Sequence, residues 1–488
     1  MRRNEKYKML NGVLKKWKGM PVELKASTAY TLCSILQRSL SFITLPLFTR
    51  LLTKGQYGQA TVYSSWYSFL IIILTLQLPY GSFSKAMVKY RDRRDEYIAS
   101  AEGICLFLMG GFLVIYFPFR RYFNAIFELP TFIMIIMAFE ILCNTSIAFW
   151  RGKKRFEFRY KEVISVTLIN SVLSVVMQII LVLSIADKGY AKIVGSAAVS
   201  IAIGGSFLIR SFVKGGSLYN KELWRYALGF NVPLLVYYIS QMIFNTSDRI
   251  MISHLAGGDK AAVYGVAYNL ALMLNFILTA INNSYIPWLY RKIEKGQQRN
   301  NRKIANYIAI LISLMLLGII WFSPEIIWVM AGEEYMDAIW IVPPIAVSVL
   351  LLFYAQLSIN MEFYFEEKKK LVYASVGAAL INVVLNYIFI PIWGYYVAGY
   401  TTLISYVVFA GANYFTAKKI TKKEGISDDW INLGALLVIL LLLMSIGLVG
   451  MLLYEHFIVR IVIAAVVFSV IVFNYKKIGD IIGILKSK

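Results

Sequence analysis

TLCSILQRSLSFITLPLFTRLLTKGQYG, residues 31–58, decides how the rest of the chain is read. From Ala26 to Leu52 the sequence is apolar, contains no Asp or Glu, and is long enough to cross a bilayer, which takes about 20 helical residues at about 1.5 Å rise each. Arg38 sits near the middle of this run. An arginine at bilayer depth costs about 3 kcal/mol on insertion scales, so it is retained where it faces a wet cavity or a partner. The first helix therefore reads as one wall of a polar path rather than as an anchor.

Composition extends this reading to the whole chain. Its 488 residues are 59% hydrophobic and 16% charged, with a mean hydropathy of +0.63, far too apolar for a soluble fold. The sequence predicts an all-α polytopic membrane protein. A net charge of +23 would suggest nucleic acid in a soluble protein. Here the basic residues fall between apolar spans, where they record topology, and no compact basic domain exists to bind nucleic acid. Cys33, Cys105 and Cys143 lie inside apolar stretches without a CxxC pair, and His254 and His456 are far apart, so neither a metal site nor a catalytic centre is expected. The first apolar run is of full spanning length and lacks an A-x-A site, so no cleaved signal is expected.

Fourteen spans are predicted, at 26–52, 57–82, 98–118, 130–150, 163–186, 193–213, 227–253, 262–288, 304–324, 338–365, 371–391, 395–416, 430–453 and 457–474. The loops test the count. KYRDRR (89–94), RGKKRFEFRYK (151–161), RKIEKGQQRNNRK (291–303), EEKKK (366–370) and KKITKK (418–423) all fall on one side, while Glu325, Glu333, Glu334 and Asp337 crowd into a loop on the other. The positive-inside rule then puts both termini in the cytoplasm. Arg120 and Arg121 are the exception, read as snorkelling residues. Residues 1–25 carry Leu10, Leu14 and Trp17 at helical spacing against lysines, either an amphipathic helix on an anionic leaflet or a basic tail that fixes orientation.

Two internal echoes share nearly the same offset. TRLLTKGQYGQATVY (49–63) resembles ISHLAGGDKAAVYGVAY (252–268), and the stretch 169–200 resembles 381–405 once a few loop residues are skipped, aligning Asn170 with Asn382 and Gly195 with Gly399 or its neighbour. They predict a six-helix unit duplicated in parallel: an N-lobe at 26–213, a linker at 214–226, a C-lobe at 227–416, two further helices within 417–474 and a tail at 475–488. Alternating access by rocking of two lobes around a cleft is the default mechanism of that arrangement.

LPLFTRLLTKGQYG, the RGKKRF element after the fourth span, PLLVYYISQMIFNTSDRIMI followed by a Tyr-Gly loop, and the Asn-x-x-Leu…Pro-Ile-x-Gly unit at 382–394 together resemble bacterial polysaccharide flippases of the Wzx type. That group belongs to the multidrug/oligosaccharidyl-lipid/polysaccharide exporter superfamily, and the similarity runs over helices 1–12. The resemblance implies a transporter, not an enzyme, of the bacterial inner or plasma membrane. It would move an undecaprenyl-pyrophosphate-linked oligosaccharide from the inner to the outer leaflet for assembly of a capsule or O-antigen-like surface polysaccharide. Membrane lipids and the polymerase and glycosyltransferases of the pathway would be its partners. The lipid II flippases share the fourteen-helix plan, and the multidrug branch commonly carries a carboxylate in the first helix where this chain has Arg38. Lipid II flipping and cation-coupled drug export are the alternatives within transport. From another class, a membrane-embedded polymerase or acyltransferase would need a large external loop or a buried histidine, which the sequence does not show.

Within that frame Arg38 is the first candidate for the pyrophosphate, since a guanidinium offers bidentate donors to phosphate oxygens and stays charged; pairing with a helix carboxylate is the competing role. Arg50, beyond a kink expected at Pro46, either receives the head group or snorkels. Gln241, Asn245 and Asp248 are spaced to share a helix face, and with Arg249 they form a candidate cleft lining or an ion-paired gate. Glu140, near the middle of the fourth span, is the candidate for coupling to Na+ or H+, with simple ion pairing as its alternative. Glu362 is expected to be solvated at the cytoplasmic end of its helix. No cofactor or metal is expected.

Overall fold

The computed structural model describes residues 22–296, 300–365, 368–425, 431–463 and 465. The basic segment 1–25, apart from its last residues, most of the span expected at 457–474 and the tail at 475–488 lie outside the described residues. Among the described residues the chain is helical without strands.

Thirteen long helices follow one another in the described residues. They are α1 (Val22–Leu51), α2 (Lys54–Thr75), α3 (Arg94–Tyr116), α4 (Thr131–Phe156), α5 (Tyr160–Ser184) and α6 (Lys188–Gly215). Next come α7 (Lys221–Ala256) and α8, which runs as Gly258–Ala271 and Asn275–Glu294 across a 3-10 turn at Leu272–Leu274. The series ends with α9 (Asn300–Trp321), α10 (Val342–Tyr364), α11 (Lys368–Trp393), α12 (Val397–Lys423) and α13 (Leu433–Leu452). Ten helices among the described residues are apolar enough over a sufficient length to cross a membrane. The outward face of α5 shows what solvent they suit: Ile169, Val172, Leu173, Val176, Ile180 and Leu183 are all exposed. Such a stripe is stable only against lipid.

Several boundaries differ from the apolar runs for local reasons. The second span was expected to reach residue 82, yet α2 ends at Thr75, because Leu76 and Gln77 adopt left-handed backbone (φ 49° and 52°). The tenth was expected from 338, but Glu333–Trp340 forms a 3-10 turn and α10 starts at Val342, with Pro343 and Pro344 in its first turn, where a missing N–H costs least. At Pro46, where a kink was expected, α1 is assigned as one helix through Leu51.

The chain divides into two compact units, one with residues up to Leu52 and Trp66–Tyr238, the other with Thr53–Ser65 and the chain from Ile239. In the first, α6 packs against α3, α4 and α5. Glycine makes the approach possible: a Cβ on Gly204 would come within 2.3 Å of the Cys143 carbonyl oxygen of α4. The start of α7 joins this unit through buried Asn231, whose amide donates to Ser82 Oγ (2.7 Å) and to the Ala227 carbonyl (2.8 Å).

In the second unit α10 is the central helix, packing against α8, α9, α12 and α13. The start of α2 joins it, with a Cβ on Gly58 placed 2.2 Å from the Gly258 carbonyl oxygen and Tyr57 edge-on to Tyr335. A clasp holds the C-terminal helices. Buried Arg460 donates to both carboxylate oxygens of Glu325 (2.9 and 2.6 Å) and to the carbonyls of Trp321, Leu453 and Tyr454.

Candidate functional site

In a helix as apolar as α7, a carboxylate has to bring its own solvation. Asp248 is 1% exposed, and taking its charge out of water costs several kcal/mol unless donors replace the hydration shell, by about 1.5–3 kcal/mol for each charge-assisted bond. Three helices supply them. Tyr264 of α8 donates its hydroxyl to Oδ2 at 2.6 Å, Thr402 of α12 donates to the same oxygen at 2.8 Å, and Asn386 of α11 donates its amide to Oδ1.

A second layer orients the first. Asn382, one turn before Asn386 on α11, donates to Thr402 Oγ1 (3.3 Å) and accepts from Ser247 (3.1 Å) and from Asn386 (3.3 Å), while Thr401 donates to Asn386 Oδ1. Asn382, Asn386, Thr401, Thr402 and Tyr264 are all buried. Arg249 adds positive charge beside Asp248. Its guanidinium lies 4.3 Å from the centroid of the Tyr268 ring, and its Nε is buried without a hydrogen-bond partner among the described residues.

The groups that reach Asp248 are two hydroxyls and one side-chain amide, whose oxygens together with the carboxylate are hard ligand atoms, and the Arg249 guanidinium stands beside them. Hard oxygen sets of this kind suit a small alkali cation or a proton rather than a soft transition metal. The residues able to hold such a cation are Asp248, Asn382, Asn386 and Thr402. Among the described residues no group of three or more His, Cys, Asp or Glu forms a metal cluster.

The other sequence candidates have different surroundings. Gln241 donates its amide to Ser375 of α11. Asn245 is exposed and donates to the Gln241 carbonyl of its own helix (2.6 Å). Spacing puts Gln241, Asn245 and Asp248 on one side of α7, but only Asp248 is buried in the network. Glu140, 7% exposed, lies within electrostatic reach of the Tyr67 hydroxyl, which accepts from Asn144 (2.9 Å). Arg50 is exposed in the last turn of α1. The side chain of Arg38 lies outside the described residues. Glu362, expected to be solvated, is 1% exposed, because it lies on the face of α10 that carries buried Ser358 and Met361 while Phe363 beside it is exposed.

Sequence reasoning singled out Asp248 through the helix face it shares with Gln241 and Asn245, and did not single out Tyr264, Asn386, Thr401 or Thr402, which surround it. The available signal was the polar spacing of α11: Asn382 and Asn386 are four apart and so share a face.

Comparison with known proteins agrees with this architecture. Residues 24–293 match the family described as polysaccharide biosynthesis protein, and residues 233–388 match the MatE family. A protein of the Lsg locus of Haemophilus influenzae is 22% identical over 370 residues, covering 74% of this chain and 89% of that protein. A membrane protein of Methanocaldococcus jannaschii is 20% identical over 445 residues, covering 84% and 86%. Among solved structures, a lipid II flippase in an inward closed conformation superimposes with a TM-score of 0.66 at 15% identity, covering 90% of this chain and 99% of that one. An inward-facing multidrug resistance transporter of the MOP superfamily gives 0.58 at 16% identity, covering 79% and 99%. The matched family spans more than half of the chain, and the fold is the one shared by these two solved transporters, so the chain belongs to the polysaccharide biosynthesis protein family.

Proposed function

We propose that the protein flips an undecaprenyl-pyrophosphate-linked oligosaccharide from the inner to the outer leaflet of the bacterial plasma membrane, with both termini cytoplasmic, to feed assembly of a surface polysaccharide. The observation that carries this reading is the match of residues 24–293 to the polysaccharide biosynthesis family. Arg38 in a first span without Asp or Glu supports an anionic lipid over a cationic drug.

The physical task favours a dedicated protein. Each sugar hydroxyl placed unpaired in hydrocarbon costs about 2–7 kcal/mol, and a pyrophosphate costs far more, so an aqueous hydrogen-bonding path removes most of the barrier while the lipid tail stays in the bilayer. Moving two negative charges outward across an inside-negative membrane gains about 4–5 kcal/mol per 100 mV. Entry of Na+ or H+ would add to this; Glu140 in the first unit and, separately, the oxygen set around Asp248 in the second are the candidate places for such an ion. The polymerase and glycosyltransferases of the same pathway are the expected partners.

Lipid II is the second reading, favoured by the superposition on a lipid II flippase over 90% of this chain. Deletion of the gene, followed by analysis of lipid-linked intermediates, separates the two. Loss of an oligosaccharide flippase leaves complete repeat units trapped on the cytoplasmic leaflet. Accumulation of lipid II instead would favour the second reading, and accumulation of incomplete units would overturn both.

A further inference from the structure

Within the first unit, a cavity of about 570 Å³ opens between α3, α4, α5 and α6. Its mouth lies at the helix ends that carry Asp95, Lys153, Lys161 and Lys214, on the side of the membrane that the basic loops assign to the cytoplasm. Its volume is in the range of small-molecule sites. Neither the family match nor the proposed transport assigns it a role.

The lining changes character with depth. Near the mouth, Lys153 pairs with Asp95 (2.6 Å), and Lys154 pairs with Glu157 (2.9 Å) and Glu162 (3.6 Å). Lys161, Arg210 and Lys214 also line the cavity, and none of them has a carboxylate partner among the described residues. Further in, Trp150 and Phe207 stack with ring centroids 4.6 Å apart at 20°, giving a flat aromatic wall. Glu102 lies seven residues beyond Asp95 on α3, about 10 Å deeper along the helix. It is 1% exposed; one of its oxygens accepts from Ser211, Ser146 approaches the carboxyl, and among the described residues Oε1 accepts no well-formed hydrogen bond.

The two ends demand opposite things of an occupant. Uncompensated cations at the rim attract an anion, whereas a buried carboxylate oxygen lacking a donor is costly and calls for an N–H or O–H. Neither a bare anion nor a bare cation satisfies both. We infer that this cavity binds a phosphate ester that carries an ammonium or hydroxyl group a few atoms from its phosphorus. The phosphate sits among Lys161, Arg210 and Lys214, the donor reaches Glu102, and the connecting atoms lie along Trp150. Two sources have this chemistry, a phospholipid head group of the adjoining leaflet and a soluble phosphorylated alcohol. Ile209 and Val213, 65% and 80% exposed, flank Arg210 on α6 and put a lipid-facing surface beside the cavity.

The test is calorimetric titration of the full chain in maltoside micelles. The probes are dihexanoyl phosphatidylethanolamine, dihexanoyl phosphatidylcholine, ethanolamine phosphate and inorganic phosphate. Saturable binding of an ethanolamine ester is expected, at least about tenfold tighter than its choline counterpart or inorganic phosphate, because quaternary nitrogen has no N–H for Glu102. Tighter binding of the lipid identifies a leaflet head group as the source, and equal binding of ethanolamine phosphate identifies a soluble ester. The R210Q/K214Q variant, altered only at exposed positions, should weaken both by about tenfold or more, and E102Q should abolish the preference over choline. The choline comparison on the unaltered protein examines Glu102 even where E102Q does not fold. Absence of saturable binding, equal affinity for the choline lipid, or affinity unchanged in R210Q/K214Q would overturn the inference.

Discussion

Replacing Tyr264 by Phe isolates one bond of the Asp248 network. The ring is fully buried and stacked on Tyr268 (centroids 6.0 Å apart), so the substitution removes a hydroxyl without opening a cavity larger than one oxygen atom. That hydroxyl donates to Asp248 Oδ2 at 2.6 Å, leaving Thr402 as the remaining donor to this oxygen at 2.8 Å. A hydrogen bond to a charged group contributes about 1.5–3 kcal/mol, so Y264F should destabilise the protein by that amount. In a D248A background the hydroxyl has already lost its acceptor, and removing it should cost nothing or stabilise slightly. A double-mutant cycle, read by reversible unfolding of the purified protein in mixed micelles, should therefore give a coupling of about 1.5–3 kcal/mol. Equal losses in both backgrounds would show that Tyr264 acts by packing alone, and the account of how α7, α8, α11 and α12 are joined would fail.

The Arg460 clasp gives a larger effect. Truncating Arg460 to Ala leaves Glu325 without its partner and should cost about 3–5 kcal/mol, visible as a lower melting temperature and faster proteolysis around α13, with Lys restoring only part because it lacks the fork. At the α4–α6 contact, Gly204→Val should prevent accumulation of folded protein, since its Cβ alone would sit 2.3 Å from the Cys143 carbonyl oxygen. Gly110→Ala, with nothing within 4 Å, should leave the yield unchanged. Membrane-fraction yield and size-exclusion profile report both.

The helices were readable because a bilayer demands about 20 apolar residues in sequence, a local property. Where the run and the helix part company the cause is also local, as at Leu76 and Gln77, whose left-handed backbone stops α2 inside an apolar stretch. Helix α4 runs the other way, past its expected end at residue 150 to Phe156, because Arg151, Lys153, Lys154 and Arg155 are too polar for the bilayer yet favour helix outside it. The site was less legible. Asp248 stands out as a charge in an apolar helix, but its donors are 16 to 154 residues away on three other helices, and only packing reveals which hydroxyls and amides converge. Glu362 misled for the same reason: nearness to a helix end says nothing about which neighbours enclose it. Glu102 stands in an apolar stretch of α3 with no sequence pattern to mark it, and its surroundings come from the cavity formed with α4, α5 and α6.

Reconstitution tests the central claim most directly. Purified protein is placed in liposomes containing an undecaprenyl-pyrophosphate oligosaccharide, and a glycan-cleaving enzyme is added outside. If the protein is the flippase, nearly all of the substrate becomes cleavable, while Arg38→Ala and Asp248→Ala proteins, inserted at the same density, expose it far more slowly. Cleavage that stops at the outer-leaflet fraction seen in empty vesicles would contradict the account.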